Sequence, residues 1–213
     1  MTPTIGITLL AAIMLFLLGA ALWSFGEYTL HRFAMHSLKG RGMASREHLR
    51  HHAATGEDWK TEWLAWVGVI LVGTGWGGLA WLVVGPVGAL LGAGWIAGYG
   101  FYDWIHWRAH RRPIAHPYER WVRRHHFHHH FGHPLDNHGV TSPVWDLVFG
   151  TYKRVDGPVR VPRRMAMIWL LDDDGAVRSE YADDYLVAGR KSATTTQADE
   201  DHRNAFANLA PAV

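Results

Sequence analysis

From Trp63 to Tyr102 the chain runs for 40 residues without a charged side chain. A single helix of that length, rising 1.5 Å per residue, would reach ~60 Å, about twice the hydrocarbon thickness of a bilayer. Gly85-Pro86 lies near the middle, a pair that stops a helix and turns the chain. The stretch is therefore expected to be two helices in a hairpin. Neither half has a polar face to turn towards water, which argues against a buried soluble hairpin. Gly73, Gly75, Gly77 and Gly78, and later Gly88, Gly92, Gly94 and Gly98, allow the close backbone approach that helices use in lipid.

A second apolar run, Ile5 to Phe25, is long enough for one more span. It lacks the positively charged start of a signal peptide and runs on through GEYTLHRF, so it reads as a retained membrane helix. Three spans result. Residues 1–31 and the Gly85-Pro86 turn carry no Lys or Arg, whereas Lys39, Arg41, Arg46, Arg50 and Lys60 follow the first span. Arg108, Arg111, Arg112, Arg120, Arg123 and Arg124 follow the third. The bias of Lys and Arg towards the cytoplasm places both basic segments on that side.

Both basic segments are also rich in histidine. Arg123 to His133 reads RRHHFHHHFGH, with six histidines in eleven residues: His125, His126, His128, His129, His130 and His133. Residues three and four apart share a helix face, so His126, His129 and His130 are able to point at one place, and HLRHH repeats the spacing as His48, His51 and His52. HWRAH gives His106 and His110 at i, i+4. HRFAMH gives His31 and His36 at i, i+5, ~140 degrees apart on a straight helix, so these two converge only where the helix ends or bends. A tag would be terminal and nearly pure histidine, whereas these clusters are internal and interleaved with Trp, Phe and Arg. Ten histidines exceed the four to six ligands of one ion, and two metals are the natural count. His116, His138 and His202 fall outside the repeated spacings and read as surface histidines or as supports for ligands.

There is no cysteine, which leaves imidazole and carboxylate as metal-binding side chains and excludes disulfides and iron–sulfur clusters. The net charge of +2 comes without a nucleic-acid-binding motif, so no nucleic-acid partner is expected. After the third span a loop with Pro113 and Pro117 precedes the last histidine helix. Trp145, Leu147, Val148 and Phe149 suit a helix lying at the membrane surface. From Asp172 the chain turns polar and acidic, so residues 1–171 are expected to form the membrane-bound domain and 172–213 a poorly ordered tail. The fold class expected is all-α: an integral membrane bundle of about three spans with a cytoplasmic histidine-rich helical cap around a dinuclear metal site.

The order H-x4-H, H-x2-HH, H-x3-H, H-x2-HH resembles the fatty acid hydroxylase and sterol desaturase superfamily of membrane-bound, histidine-rich di-iron oxygenases. WSFGEYTLHRFAMH, YDWIHWRAH and HHHFGHPLDNHGVTSPVWDLVFGTY are most similar to stretches of fatty acid 2-hydroxylases, over roughly residues 20–153. The resemblance implies metal ligands at His31, His36, His48, His51, His52, His106, His110, His126, His129 and His130. His125-x2-His128-His129 also fits the last box; His126 keeps the family's spacing to Gly139-Val140-Thr141-Ser142 and Trp145-Asp146. Two features depart from the eukaryotic 2-hydroxylases: the proline-rich stretch after His52 is missing, and these 213 residues hold no cytochrome b5 domain. Electrons are therefore expected from a separate cytochrome b5-type or ferredoxin-type protein.

No side chain oxidises an unactivated C–H bond, so the chemistry implied is that of a metal pair consuming O2. Imidazole suits zinc as well as iron, and the resemblance is what argues for two irons. Asp103, Glu27 and Asp146 lie near the boxes and are candidates to hydrogen-bond ligating rings from behind, Asp103 foremost, three residues before His106. Capping or ion pairing with Arg32 or Arg108 explains them equally well. The expected function is O2-dependent hydroxylation of a lipid acyl chain, most simply at C2 of a fatty acid or sphingolipid. The host is a bacterial inner membrane or the endoplasmic reticulum. Desaturation of a sterol or acyl chain and carotenoid hydroxylation are the alternatives within the superfamily. A histidine-rich membrane metal transporter is the alternative outside it, disfavoured because residues 63–102 offer no ionisable pathway.

Overall fold

The computed structural model describes residues 3–53 and 63–189, which are mostly helical. They belong to two compact units, one formed by residues 1–27 and 60–104 and the other by 28–59 and 105–213.

The first unit holds most of α1 (Pro3–Thr29), α3 (Trp63–Val84) and the apolar part of α4 (Ala89–Arg111). A single turn, Pro86–Gly88, joins α3 to α4, with Gly85 before it at φ 76°, a conformation that costs glycine little. Gly92 lies directly against the Gly73 carbonyl and Gly94 against the Phe16 carbonyl, so three backbones approach where no Cβ would fit. Trp23 closes the packing, its ring edge-on to Trp95 at 5.2 Å and to Tyr99 at 4.9 Å. The outward surface is apolar: Leu82 and Val83 are each 83% exposed, the reverse of a soluble core helix. Among the described residues, two helical stretches are long and apolar enough to cross a membrane, Thr8–Ser37 and Trp63–Val84. The third span expected, in α4, is apolar only as far as Tyr102 and becomes polar from Asp103.

The second unit carries all the histidine boxes. Past Thr29 the backbone widens into a π-helix over Leu30–Ser37. α2 (Met43–Ala53), the last turns of α4, α5 (Pro117–Phe131) and the short α6 (Val144–Val148) complete the helices. Ser45 lies inside α2; its hydroxyl donates to the Met35 carbonyl at 2.6 Å and accepts the Gly40 N–H at 2.8 Å.

Two expectations need correction here. The unit is not purely helical: β1 (Val159–Pro162) pairs in parallel with β2 (Tyr185–Ala188), Val159 opposite Tyr185. Nor does the folded chain stop at 171. Tyr181 and Tyr185 are buried in one core with Phe127 of α5, Val159, Val161, Met167, Trp169 and Leu170. Asp184 receives Arg120 at 2.6 Å and Arg124 at 2.5 Å, both from α5. The acidic composition after Asp172 hid a few aromatic anchors, and those, rather than average polarity, decide whether a segment packs. Residues 190–213 of the expected tail lie outside the described residues.

Candidate metal centre

The ten histidines named from sequence come together in two groups. His31, His36, His48, His52 and His129 form one; His51, His106, His110, His126 and His130 form the other. Within each, one nitrogen per ring lies within 4.8 Å of all the others. The helical spacings distribute the rings in a way the sequence did not suggest. His126, His129 and His130 share a face of α5 without sharing a site: His126 and His130 turn to the second group and His129 to the first. Likewise His48 and His52 serve the first group and His51 the second. Residues at i and i+4 diverge by only ~40 degrees, whereas adjacent residues diverge by ~100 degrees. The i, i+4 pair therefore stays together, and the residue between is aimed at the neighbouring group.

The H-x4-H pair is brought together by the π-helix. Its hydrogen bonds run i to i+5, so His31 and His36 sit one turn apart on a single face. No bend or helix end is needed.

The donor set fits a cation better than it fits hydrogen bonding among imidazoles. His48 Nε2 lies 3.0 Å from His31 Nε2, 2.9 Å from His36 Nε2 and 3.0 Å from His52 Nε2. A neutral ring nitrogen offers one proton or one lone pair, so it satisfies one such neighbour and not three. Lone pairs converging at this spacing match nitrogens at right angles around an ion bound at ~2.1 Å. The second group repeats the crowding, with His51 Nε2 3.2 Å from His106 Nε2 and His110 Nε2 3.1 Å from His126 Nε2. The His52 and His130 rings stack at 4.1 Å with 5° between their planes, linking the two groups. Burial holds His48, His52, His126, His129 and His130 well below the ordinary imidazole pKa, and their imidazole neighbours push the same way. Burial alone brings His51 down to about 4. The rings are thus neutral at physiological pH, the form that ligates.

Of the three carboxylates singled out from sequence, the structure ties Asp146 to histidine. Asp146 is fully buried, accepts the His138 N–H at 2.8 Å, and lies 3.5 Å from His125 Nε2. Asp103 accepts from the Trp66 indole at 3.4 Å, within the hairpin unit, and Glu27 is buried near the end of α1. His125 and His128 belong to neither group; His128 Nε2 lies 3.7 Å from Asp136 Oδ2. His138, read from the sequence as a surface histidine or a support for a ligand, is buried with its ring 5.4 Å from that of His129. Its carbonyl accepts a hydrogen bond from His31 Nδ1 at 2.5 Å. No spacing rule finds it, because it acts through its backbone. Its place five residues after His133, in NHG before a turn, was the available signal.

A family profile described as fatty acid hydroxylase matches residues 16–151, more than half of the chain and all ten histidines. The chain belongs to the fatty acid hydroxylase family. Among family members, dihydroceramide fatty acyl 2-hydroxylase FAH1 of Arabidopsis thaliana is 29% identical over 161 residues, 73% of this chain and 67% of that protein. Ceramide very long chain fatty acid hydroxylase SCS7 of Saccharomyces cerevisiae is 32% identical over 158 residues, 70% of this chain and 41% of that one. Fatty acid 2-hydroxylase of Homo sapiens is 28% identical over 64% of this chain and 39% of its own length. A solved structure of full-length scs7p, with only the hydroxylase domain visible, superposes with a TM-score of 0.54 at 28% identity. It covers 72% of this chain and 62% of that one. This family member thus spans about two thirds of the plant relative and about two fifths of the yeast and human ones.

Proposed function

We propose that the chain is a membrane-bound hydroxylase that inserts one oxygen atom from O2 into a lipid acyl chain, at C2 of a fatty acid or of a sphingolipid's acyl group. The observation that carries this is the pair of five-histidine groups, buried side by side, in a chain whose remaining helices are dressed in apolar side chains. The kinship with enzymes named as fatty acyl and ceramide hydroxylases supports the acyl substrate and the C2 position.

The ten histidines of the two groups hold two iron ions in this reading. When bound, the metal pair supplies the oxidant for an unactivated C–H bond, consuming O2 and two electrons and releasing water beside the alcohol. The protein's own part is positional. Hydrogen bonds donated by the outer nitrogens of His31 and His129 to backbone carbonyls fix those rings, and burial keeps the imidazoles neutral. The polar donors at the centre are enclosed in the protein, which limits water at the reacting carbon. Electrons come from a separate one-electron carrier of the cytochrome b5 or ferredoxin type. The apolar parts of α1, α3 and α4 cross the membrane, and the basic segments that bear the histidines face the cytoplasm.

The test is mass spectrometry of lipids from cells expressing the wild type or His129→Ala together with a reductant protein. A gain of one oxygen at C2 in the wild type alone supports the reading. Loss of two hydrogens would replace it with desaturation, and an unchanged acyl pool in the presence of two bound irons would overturn the acyl substrate.

A further inference from the structure

Two rings of the first histidine group are fixed from behind by one loop. His129 Nδ1 lies 2.8 Å from the Asp136 carbonyl and His31 Nδ1 lies 2.5 Å from the His138 carbonyl. A carbonyl only accepts, so both rings carry their proton on Nδ1 and turn a bare Nε2 inward. Those Nε2 atoms are the ones that crowd the group, His31 against His48 at 3.0 Å and His129 against His36 at 2.9 Å. By contrast, the Nδ1 atoms of His36 and His52 are buried without a hydrogen-bond partner.

The loop, residues 132–139, has no regular structure of its own and is held by two buried side chains. Asn137 sits in the left-handed region at φ 58°. Its carboxamide bridges the backbone of Lys153, accepting the N–H at 2.7 Å and donating to the carbonyl at 3.0 Å. Asp146 takes the other end. It accepts the N–H groups of His138 and Gly139, each at 2.8 Å, and the Thr151 hydroxyl at 2.7 Å. Since Thr151 spends its proton on Asp146, the Tyr28 hydroxyl donates to Thr151 at 3.0 Å and accepts from Arg32 at 2.7 Å. Every donor in this chain of bonds is aimed towards one buried carboxylate, whose pKa these contacts, with His125 foremost, hold below the ordinary range against the opposing effect of burial.

We infer that Asp146 is a positioning residue for one metal site only: by pinning the His138–Gly139 backbone it orients His31 and, through the same loop, His129. The first site therefore depends on Asp146 and the second, of His51, His106, His110, His126 and His130, does not. The inference rests on the two-metal centre proposed above. Partners of ligands, when removed, typically cost 10- to 100-fold in metal affinity. Asp146→Asn is the informative variant, since it keeps the shape but sets an amide N–H2 against backbone N–H donors.

The experiment is metal titration of the purified full-length chain in detergent, with Zn2+ as probe, elemental analysis for stoichiometry and chelator competition for affinity. The wild type is expected to hold two ions and Asp146→Asn to hold one unchanged, with the other weakened 10- to 100-fold. In a His129→Ala background Asp146→Asn should leave the second site's ion unchanged, and in a His126→Ala background it should weaken the first site's ion by the same 10- to 100-fold. Thr151→Val, which deletes a single donor to Asp146, serves if Asp146→Asn does not fold, and should weaken the same ion to a smaller degree. Two ions of unchanged affinity in the variants, or equal weakening of both, would overturn the role of Asp146. Absence of metal in the folded wild type would instead overturn the centre itself.

Discussion

Single side chains hold the histidine helices in place, and Arg123 is the clearest case. It is fully buried, its Nη2 donates to the carbonyls of Arg108, Arg112 and Pro113, and its guanidinium lies 4.5 Å from the Trp169 ring. The Arg112 and Pro113 carbonyls lie just past the end of α4, and the Arg108 carbonyl also accepts the Arg112 N–H at 3.1 Å. Arg123→Lys offers a smaller, differently shaped donor and leaves the part-buried Arg112 and Pro113 carbonyls without this partner, at ~1–3 kcal/mol for each group. It should lower stability by about 3 kcal/mol, read as a fall in denaturation midpoint against the wild type in the same detergent. Glu119 sits beside it, accepting from Arg108 at 2.7 Å and from the Ala115 N–H at 3.0 Å. Burial pushes the Glu119 pKa up, but these bonds and the Arg108 and Arg123 charges outweigh it and leave the value below normal. A depressed carboxylate contributes stability that is present above its unfolded value, ~4.3, and is lost as pH falls through the folded value. Glu119→Gln should thus be less stable than the wild type at pH 7 and converge with it below about pH 4, checked by paired melting curves across that range. At this scale the convergence of the ten histidines was legible in sequence, because they repeat at helical spacings. Arg123 and Asn137 were not legible, because each acts on backbone groups whose position only the fold determines.

At the scale of elements the helical hairpin is set by steric contact. Gly92 meets the Gly73 carbonyl directly, and a side chain there forces the helices apart, whereas Gly75 has nothing within 4 Å of the place a Cβ would take. Gly92→Leu should therefore cost at least about 3 kcal/mol through overpacking, with Gly75→Leu close to neutral. Thermal unfolding of the two variants side by side separates a packing role from a general effect of replacing glycine in a helix. The hairpin and its turn were readable in sequence because 40 uncharged residues leave few other ways to satisfy backbone groups in lipid. The π-helix at Leu30–Ser37 was not. Its i, i+5 histidines looked like a defect in an α-helical pattern, and that misfit was itself the signal, since π-turns concentrate at functional sites.

For the whole molecule, the largest gap between sequence and structure is the segment after Asp172. Average polarity marked it as a tail, yet as far as residue 188 it forms part of a cap behind α5, with Tyr181 and Tyr185 in the core and β2 paired to β1. The cap reaches the metal centre in two ways. Trp169 donates to the His110 carbonyl at 3.1 Å, and Phe127, between His126 and His128, is covered by the cap's aromatic rings. Ending the chain at Leu171 removes the carboxylate that pairs with Arg120 and Arg124 and uncovers Phe127 and Trp169. Burial of a large apolar side chain is worth ~1.5–3 kcal/mol, so loss of Tyr181 and Tyr185 alone forfeits at least about 3 kcal/mol. Such a chain should melt at a lower temperature and lose ions from the second site, which includes His110, before the first. Asp184→Asn should do the same more mildly, since it removes the charge and leaves the aromatic rings in place. Metal content per chain and melting temperature, measured on both, decide the matter. If the chain ending at Leu171 keeps two ions and its melting temperature, the cap is dispensable to the centre, and the boundary at 171 is the functional one after all.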